Sequence, residues 1–134
     1  MFDQPLSPPP AGAHRRTFKT LAELARVRSF VETQARSAGL SGSRVARVLL
    51  AVNEVATNAF EHTSDGCTVT TWALPHTFVC QIDDDGRFDV PPVRPVAPLS
   101  GRGHGLILVE ELTDLVRRHS DSGGTTTRLH FDRK

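Results

Sequence analysis

Proline has no backbone N–H and a fixed φ, so a cluster of prolines marks chain that cannot hold a helix interior or a central strand. Eight of the nine prolines here fall in residues 1–12 and 91–98, which confines regular structure to the chain on either side of the second stretch. Pro5, Pro8, Pro9 and Pro10 make residues 1–13 an extended or disordered tail, either solvated or partner-binding, ahead of one domain over 14–134. A chain of 134 residues buries roughly 68% of its unfolded surface, enough for one core. Sixteen Lys and Arg against fifteen Asp and Glu leave no basic field for nucleic acid or a membrane surface. No apolar run approaches the ~18 residues of a membrane span, and no charged leader precedes an apolar stretch, so a cytoplasmic location is expected. Cys67 and Cys80 lack CxxC spacing and a neighbouring His cluster, and read as buried reduced thiols.

Periodicity supplies the elements. A short extended piece at Arg15–Lys19 leads into a helix from about Leu21 to Ala38, with Leu21, Leu24, Val27 or Arg28, Val31, Ala35 and Ala38 at helical spacing and Gly39 as its stop. A second helix begins after Ser41 or Ser43 and carries the stripe Val45, Val48, Leu49, Val52, Ala56 and Ala59. Ser64-Asp65-Gly66 reads as a turn into a strand over Cys67–Leu74, and Pro75-His76 separates that strand from Phe78–Ile82, its hairpin partner. Residues 87–102 form a long loop of the kind that serves as a lid or binding loop. Gly101, Gly103 and Gly105 then open an apolar helix through Leu112, and Leu115–His119 pairs with Thr125–Phe131 across a turn at 121–124. This order predicts an α+β fold: a two-layer α/β sandwich of a mostly antiparallel sheet of four or five strands with helices on one face. It does not fit a doubly wound fold, and no Gly-Lys-Ser/Thr follows the glycines as a P-loop requires.

Three places carry chemistry. Glu54, Asn58 and His62 recur every four residues, so a carboxylate, an amide and an imidazole rise along one side of the second helix. A solvated face is the plain alternative for the first two, and a structural role for His62. Asp83, Asp84 and Asp85 end a strand, where successive side chains alternate between faces, so the three cannot converge on one cation. Asp84 shares a face with Ile82 and is the one expected to point inward, where a carboxylate needs a donor such as a purine amino group. A polar strand end capped by Gly86 is the alternative. The glycines at 101, 103 and 105 either present free N–H groups to phosphate at a helix start or act as a hinge, and Arg102 either pairs with a terminal phosphate or is surface charge.

Taken in order, these segments resemble the GHKL or Bergerat-fold ATPases, the superfamily of gyrase and the histidine kinases. The likeness is greatest to the small bacterial anti-sigma-factor serine/threonine kinase branch and runs from about Thr17 to Phe131. Glu54-xxx-Asn58-Ala59-xx-His62 resembles the N box, Asp84-Asp85-Gly86 the first glycine box, Gly103-His104-Gly105-Leu106 the second, and Gly124-Thr125-Thr126 the closing Gly-Thr element. The resemblance implies ATP and Mg²⁺ as cofactors. It implies that Asn58 holds the metal, Glu54 is the general base, Asp84 accepts from the adenine amino group, Gly86 keeps the adenine side open, and Thr125 or Thr126 supports the base. Gly103 and Gly105, with His104 and Leu106 in the same motif, would line the phosphate cradle. It further implies a kinase that binds a sigma factor, phosphorylates a STAS-domain antagonist and forms a homodimer. A nucleotide-binding regulatory module without phosphoryl transfer is the alternative, and a detached histidine-kinase catalytic domain ranks below both because no acceptor-histidine hairpin precedes the fold. Arg87 and Phe88 stand where the family often has a second glycine, which implies a stiffer start to the lid.

Overall fold

The computed structural model describes residues 6–63, 65–86 and 108–134. Strand β1 (His14–Phe18) precedes helix α1 (Leu24–Ser37) and helix α2 (Gly42–His62). Strands β2 (Cys67–Ala73), β3 (Thr77–Asp84), β4 (Leu115–Asp121) and β5 (Gly124–Asp132) follow, and residues 108–112 are helical. The strands form one sheet in the order β1-β2-β3-β5-β4, every pair antiparallel. The fold is α+β, with the helices on one face.

Alternation along the strands decides which side chains meet the helices. Phe78, Cys80 and Ile82 of β3 pair with Phe131, Leu129 and Thr127 of β5, and all six lie on the inner face, buried under α1 and α2. From above, α1 contributes Val27, Val31 and Ala35, and α2 contributes Val45, Val48, Ala51, Val52, Val55, Ala56 and Ala59. Fully burying a valine contributes about 1.5–3 kcal/mol, so this stripe is the main anchor of α2. Ser41 caps α2, its Oγ accepting from the Arg44 N–H at 3.4 Å, which selects Ser41 over Ser43.

The structure departs from the sequence expectation in detail. Leu21 starts a 3₁₀ turn (Leu21–Glu23) and is exposed, outside the α1 stripe. Leu49 is only half-buried, while Ala51 and Val55 complete the α2 contact. The tail holds no helix or strand over 6–13, yet it is not simply solvated. Leu6, Ser7, Pro8 and Pro10 lie against the outer sheet face, where the Ser7 carbonyl accepts a hydrogen bond from Arg128. The thiols of Cys67 and Cys80 are buried and unbridged, and burial pushes the Cys67 thiol up to about 12.

Candidate functional site

At the end of β3 the pleat separates the aspartates. Asp84 falls on the inner face two residues beyond Ile82, whereas Asp83 points to the outer face with Gln81, whose Nε2 donates to its Oδ2 at 2.9 Å. Asp85 is exposed. Asp84 Oδ1 accepts from the Gly86 N–H at 2.8 Å, and its Oδ2 has no hydrogen-bond partner among the described residues. Burial raises the Asp84 carboxyl to about 6, against the lowering effect of the Gly86 N–H, because the charged form loses solvent. Among the described residues Asp84 is therefore a half-buried carboxylate with one oxygen left to accept from a donor.

Two further strands close around it. Thr125 pairs with Asp84 across β3 and β5, and its Oγ1 donates to the Gly86 carbonyl at 2.6 Å, tying the acidic turn to the start of β5. Ser120 of β4 lies within 3.1 Å of the same hydroxyl. Thr126 belongs to the other face, where its hydroxyl donates to Asp83, so of the two threonines only Thr125 stands on the Asp84 side. Gly124 makes this closure possible. It sits at φ 134°, and a Cβ there would lie 2.1 Å from the Asp84 carbonyl oxygen. Gly86 abuts the C-terminal end of α2, where a Cβ would meet Thr63 Cγ2 at 3.0 Å and Asp84 Oδ1 at 3.1 Å. A side chain at Gly86 would therefore crowd both Asp84 and Thr63.

Glu54 and Asn58 are half-buried on α2. They share a stripe with Arg47, at i+7 and i+11. Arg47 donates to the Glu111 carbonyl at 3.2 Å, which lays the helical residues 108–112 along the N-terminal part of that stripe. Glu54 and Asn58 continue it toward the α2 end that meets Gly86. His62 is exposed in the last turn. Arg102, Gly103, His104, Gly105 and Leu106, and the proposed lid at 87–102, lie outside the described residues.

Arg118 escaped the sequence reading. It pairs with Thr127, so it shares the inner face, and its charge acts on Asp84 from β4. The signal was present in the alternation of Val116, Arg118 and Ser120, but their face is fixed only by the β4–β5 register.

A half-buried carboxylate beside a glycine that admits no side chain, with a helix stripe bearing a carboxylate and an amide, suits a purine nucleotide with a hard cation. Asp84 Oδ2 can take an exocyclic amino group, and the Asn58 side-chain carbonyl is an oxygen of the type Mg²⁺ prefers. The family model of the histidine kinase-like ATPase domain matches residues 18–131. The chain belongs to that family, and with it to the GHKL-type ATPases.

Solved structures agree on the fold. The RsbU and RsbW domains of Rv1364c from Mycobacterium tuberculosis superpose with a TM-score of 0.71 at 22% identity, covering 93% of this chain and 34% of that one. The blue-light activated histidine kinase EL346 of Erythrobacter litoralis gives 0.56 at 19% identity, covering 87% and 42%. The histidine kinase AdeS of Acinetobacter baumannii gives 0.52 at 12% identity, covering 90% and 68%. The chain thus spans about a third of the first and two fifths of the second. Comparison with curated protein sequences gives no match. Among the described residues no helix is long and apolar enough to cross a membrane.

Proposed function

We propose that this domain is an ATP- and Mg²⁺-dependent serine/threonine kinase of the partner-switching kind, which binds a sigma factor and phosphorylates a STAS-domain antagonist. The observation that carries the nucleotide reading is Asp84: a half-buried carboxylate whose Oδ2 has no hydrogen-bond partner among the described residues, set between Gly86 and Thr125 in a domain of this family. In this reading Asp84 accepts from the adenine amino group, Thr125 and Gly86 shape the base pocket, and Asn58 holds Mg²⁺. Gly103 and Gly105, with Arg102, His104 and Leu106 beside them, receive the phosphates. Bound nucleotide would supply the phosphoryl group, and Mg²⁺ held at Asn58 would supply most of the charge neutralisation. Glu54, one helical turn before Asn58, takes the proton from the attacking serine hydroxyl. The RsbW domain in the superposed mycobacterial structure supports the anti-sigma branch of this reading over the histidine-kinase branch. Two copies acting as a homodimer complete it.

The test is transfer of labelled phosphate from ATP to a STAS-domain protein encoded beside this chain, with Mg²⁺ present and absent. Mg²⁺-dependent serine phosphorylation is the expected result. Nucleotide binding without transfer to any STAS partner would replace the kinase with a nucleotide-gated regulatory module, and absence of nucleotide binding would remove both.

A further inference from the structure

The reverse face of the sheet carries a second site. Between the prolyl segment and the outer faces of β2, β4 and β5 lies a groove of about 510 Å³, within the range of small-ligand pockets. Its apolar walls are Leu6, Pro8 and Trp72, and its polar groups are Arg117, Arg128 and His130. Among the described residues no carboxylate lines it. Arg117 and Arg128 are direct cross-strand partners on the same face, an arrangement of like charges that costs stability unless something negative lies between them.

The partners of Arg128 do not remove its charge. Its guanidinium lies 5.0 Å from the centre of the Trp72 ring, its Nε donates to Gln81 Oε1 at 2.7 Å, and its Nη2 donates to the Ser7 carbonyl. Asp83, which lies on this face beside Arg128, is engaged by the Gln81 amide and the Thr126 hydroxyl. Arg128 is only 7% exposed, so its charge is held out of water. Beside it the His130 Nε2 is buried without a hydrogen-bond partner. Burial and the two arginines keep the imidazole below its usual range, so it stays neutral and can donate from one nitrogen. Donors from three side chains, two of them cationic, border an aromatic wall.

We propose that this groove binds an organic anion: a carboxylate held by Arg117, Arg128 and His130, on a flat apolar body that lies against Trp72 and the prolyl segment. The inference does not rest on the nucleotide reading, since Asp84 and Thr125 lie on the opposite face of the sheet. Trp72 is the chain's one tryptophan, and there is no tyrosine, so intrinsic fluorescence reports from the groove itself.

The experiment titrates the full chain with phenylacetate, with its neutral twin phenylacetamide and with inorganic phosphate, following Trp72 emission. Phenylacetate should produce a saturable change, and phenylacetamide should need at least about tenfold more, since a hydrogen bond to a charged partner is worth ~1.5–3 kcal/mol. Arg117→Glu, at an exposed position the fold tolerates, should weaken phenylacetate about tenfold and leave phenylacetamide unchanged, and Arg117→Lys should restore most of the response. The thermal response of Arg117→Glu to adenine nucleotide should equal that of the unaltered chain. Equal responses to acid and amide, no response to phenylacetate, or an unshifted midpoint in Arg117→Glu would overturn the proposal. Reproduction of the change by phosphate alone would overturn the requirement for an apolar body.

Discussion

Asp84 is held at a cost. Its carboxyl is raised to about 6 by burial, so the folded chain binds that proton more tightly than the unfolded chain does. Ionisation of Asp84 therefore subtracts from stability above pH ~6, and the penalty fades as pH falls from there toward the ordinary carboxylate range. Asp84→Asn should raise the melting temperature of the nucleotide-free protein at pH 7–8, with the gain shrinking below pH ~6, as scanning calorimetry across pH would show. The same substitution should weaken adenine nucleotide by roughly 1.5–3 kcal/mol in a titration, because an acceptor oxygen becomes a donor nitrogen. In the unaltered chain nucleotide affinity should fall as pH drops through about 6, where the carboxylate takes up a proton. Stability and binding moving in opposite directions would be the signature of a group retained for recognition. Gly124 makes the converse case, since a Cβ there meets the Asp84 carbonyl oxygen at 2.1 Å. Gly124→Ala should cost at least about 1–3 kcal/mol in denaturant unfolding, and nucleotide binding should fall with it.

Helix α2 serves the core and the site from different sides. Val52 is fully buried and Glu54, two residues on, is half-buried. Val52→Ala should cost about 2 kcal/mol of stability by leaving a cavity. Glu54→Gln should leave the melting temperature and nucleotide affinity near their starting values while lowering phosphoryl transfer by roughly 10²–10⁴-fold, the range for loss of a general base. A fall in both binding and transfer would instead make Glu54 a residue that orders the nucleotide or the helix. Elements of this kind were legible from sequence because their signals are local: the valine stripe of α2, the β2–β3 hairpin around Pro75, and the turn between β4 and β5. Pairings between distant segments were not. Which threonine stands beside Asp84, and that Arg118 joins that face, follow from the registers of β3 with β5 and of β4 with β5. A shift of one residue in either would exchange the faces. Composition leaves the proline-rich segment either solvated or partner-binding, whereas a hydrogen bond from an arginine more than a hundred residues away ties it to the sheet.

At the scale of the molecule, ligand and fold are linked. If the nucleotide site is as proposed, ATP or ADP with Mg²⁺ should raise the melting temperature, by the equivalent of about 2.7 kcal/mol when free nucleotide is a hundredfold above its Kd. No shift at millimolar nucleotide would remove the nucleotide reading altogether. The sheet order also bears on how the domain assembles. β2–β3 and β4–β5 are hairpins with short connections, but the β3–β5 seam joins Gly86 to Thr125 across 39 residues of chain. Closing a loop of that length costs about 3 kcal/mol of chain entropy before the seam returns any contact. The hairpins should therefore form early and the seam late, a sequence that mutational analysis of the folding rate can follow through Val79 and Leu129. Asp84 and Thr125 face each other only across that seam. A chain stalled with both hairpins made would hold every strand residue of the site and still have no pocket, so nucleotide would select the finished molecule from its precursors.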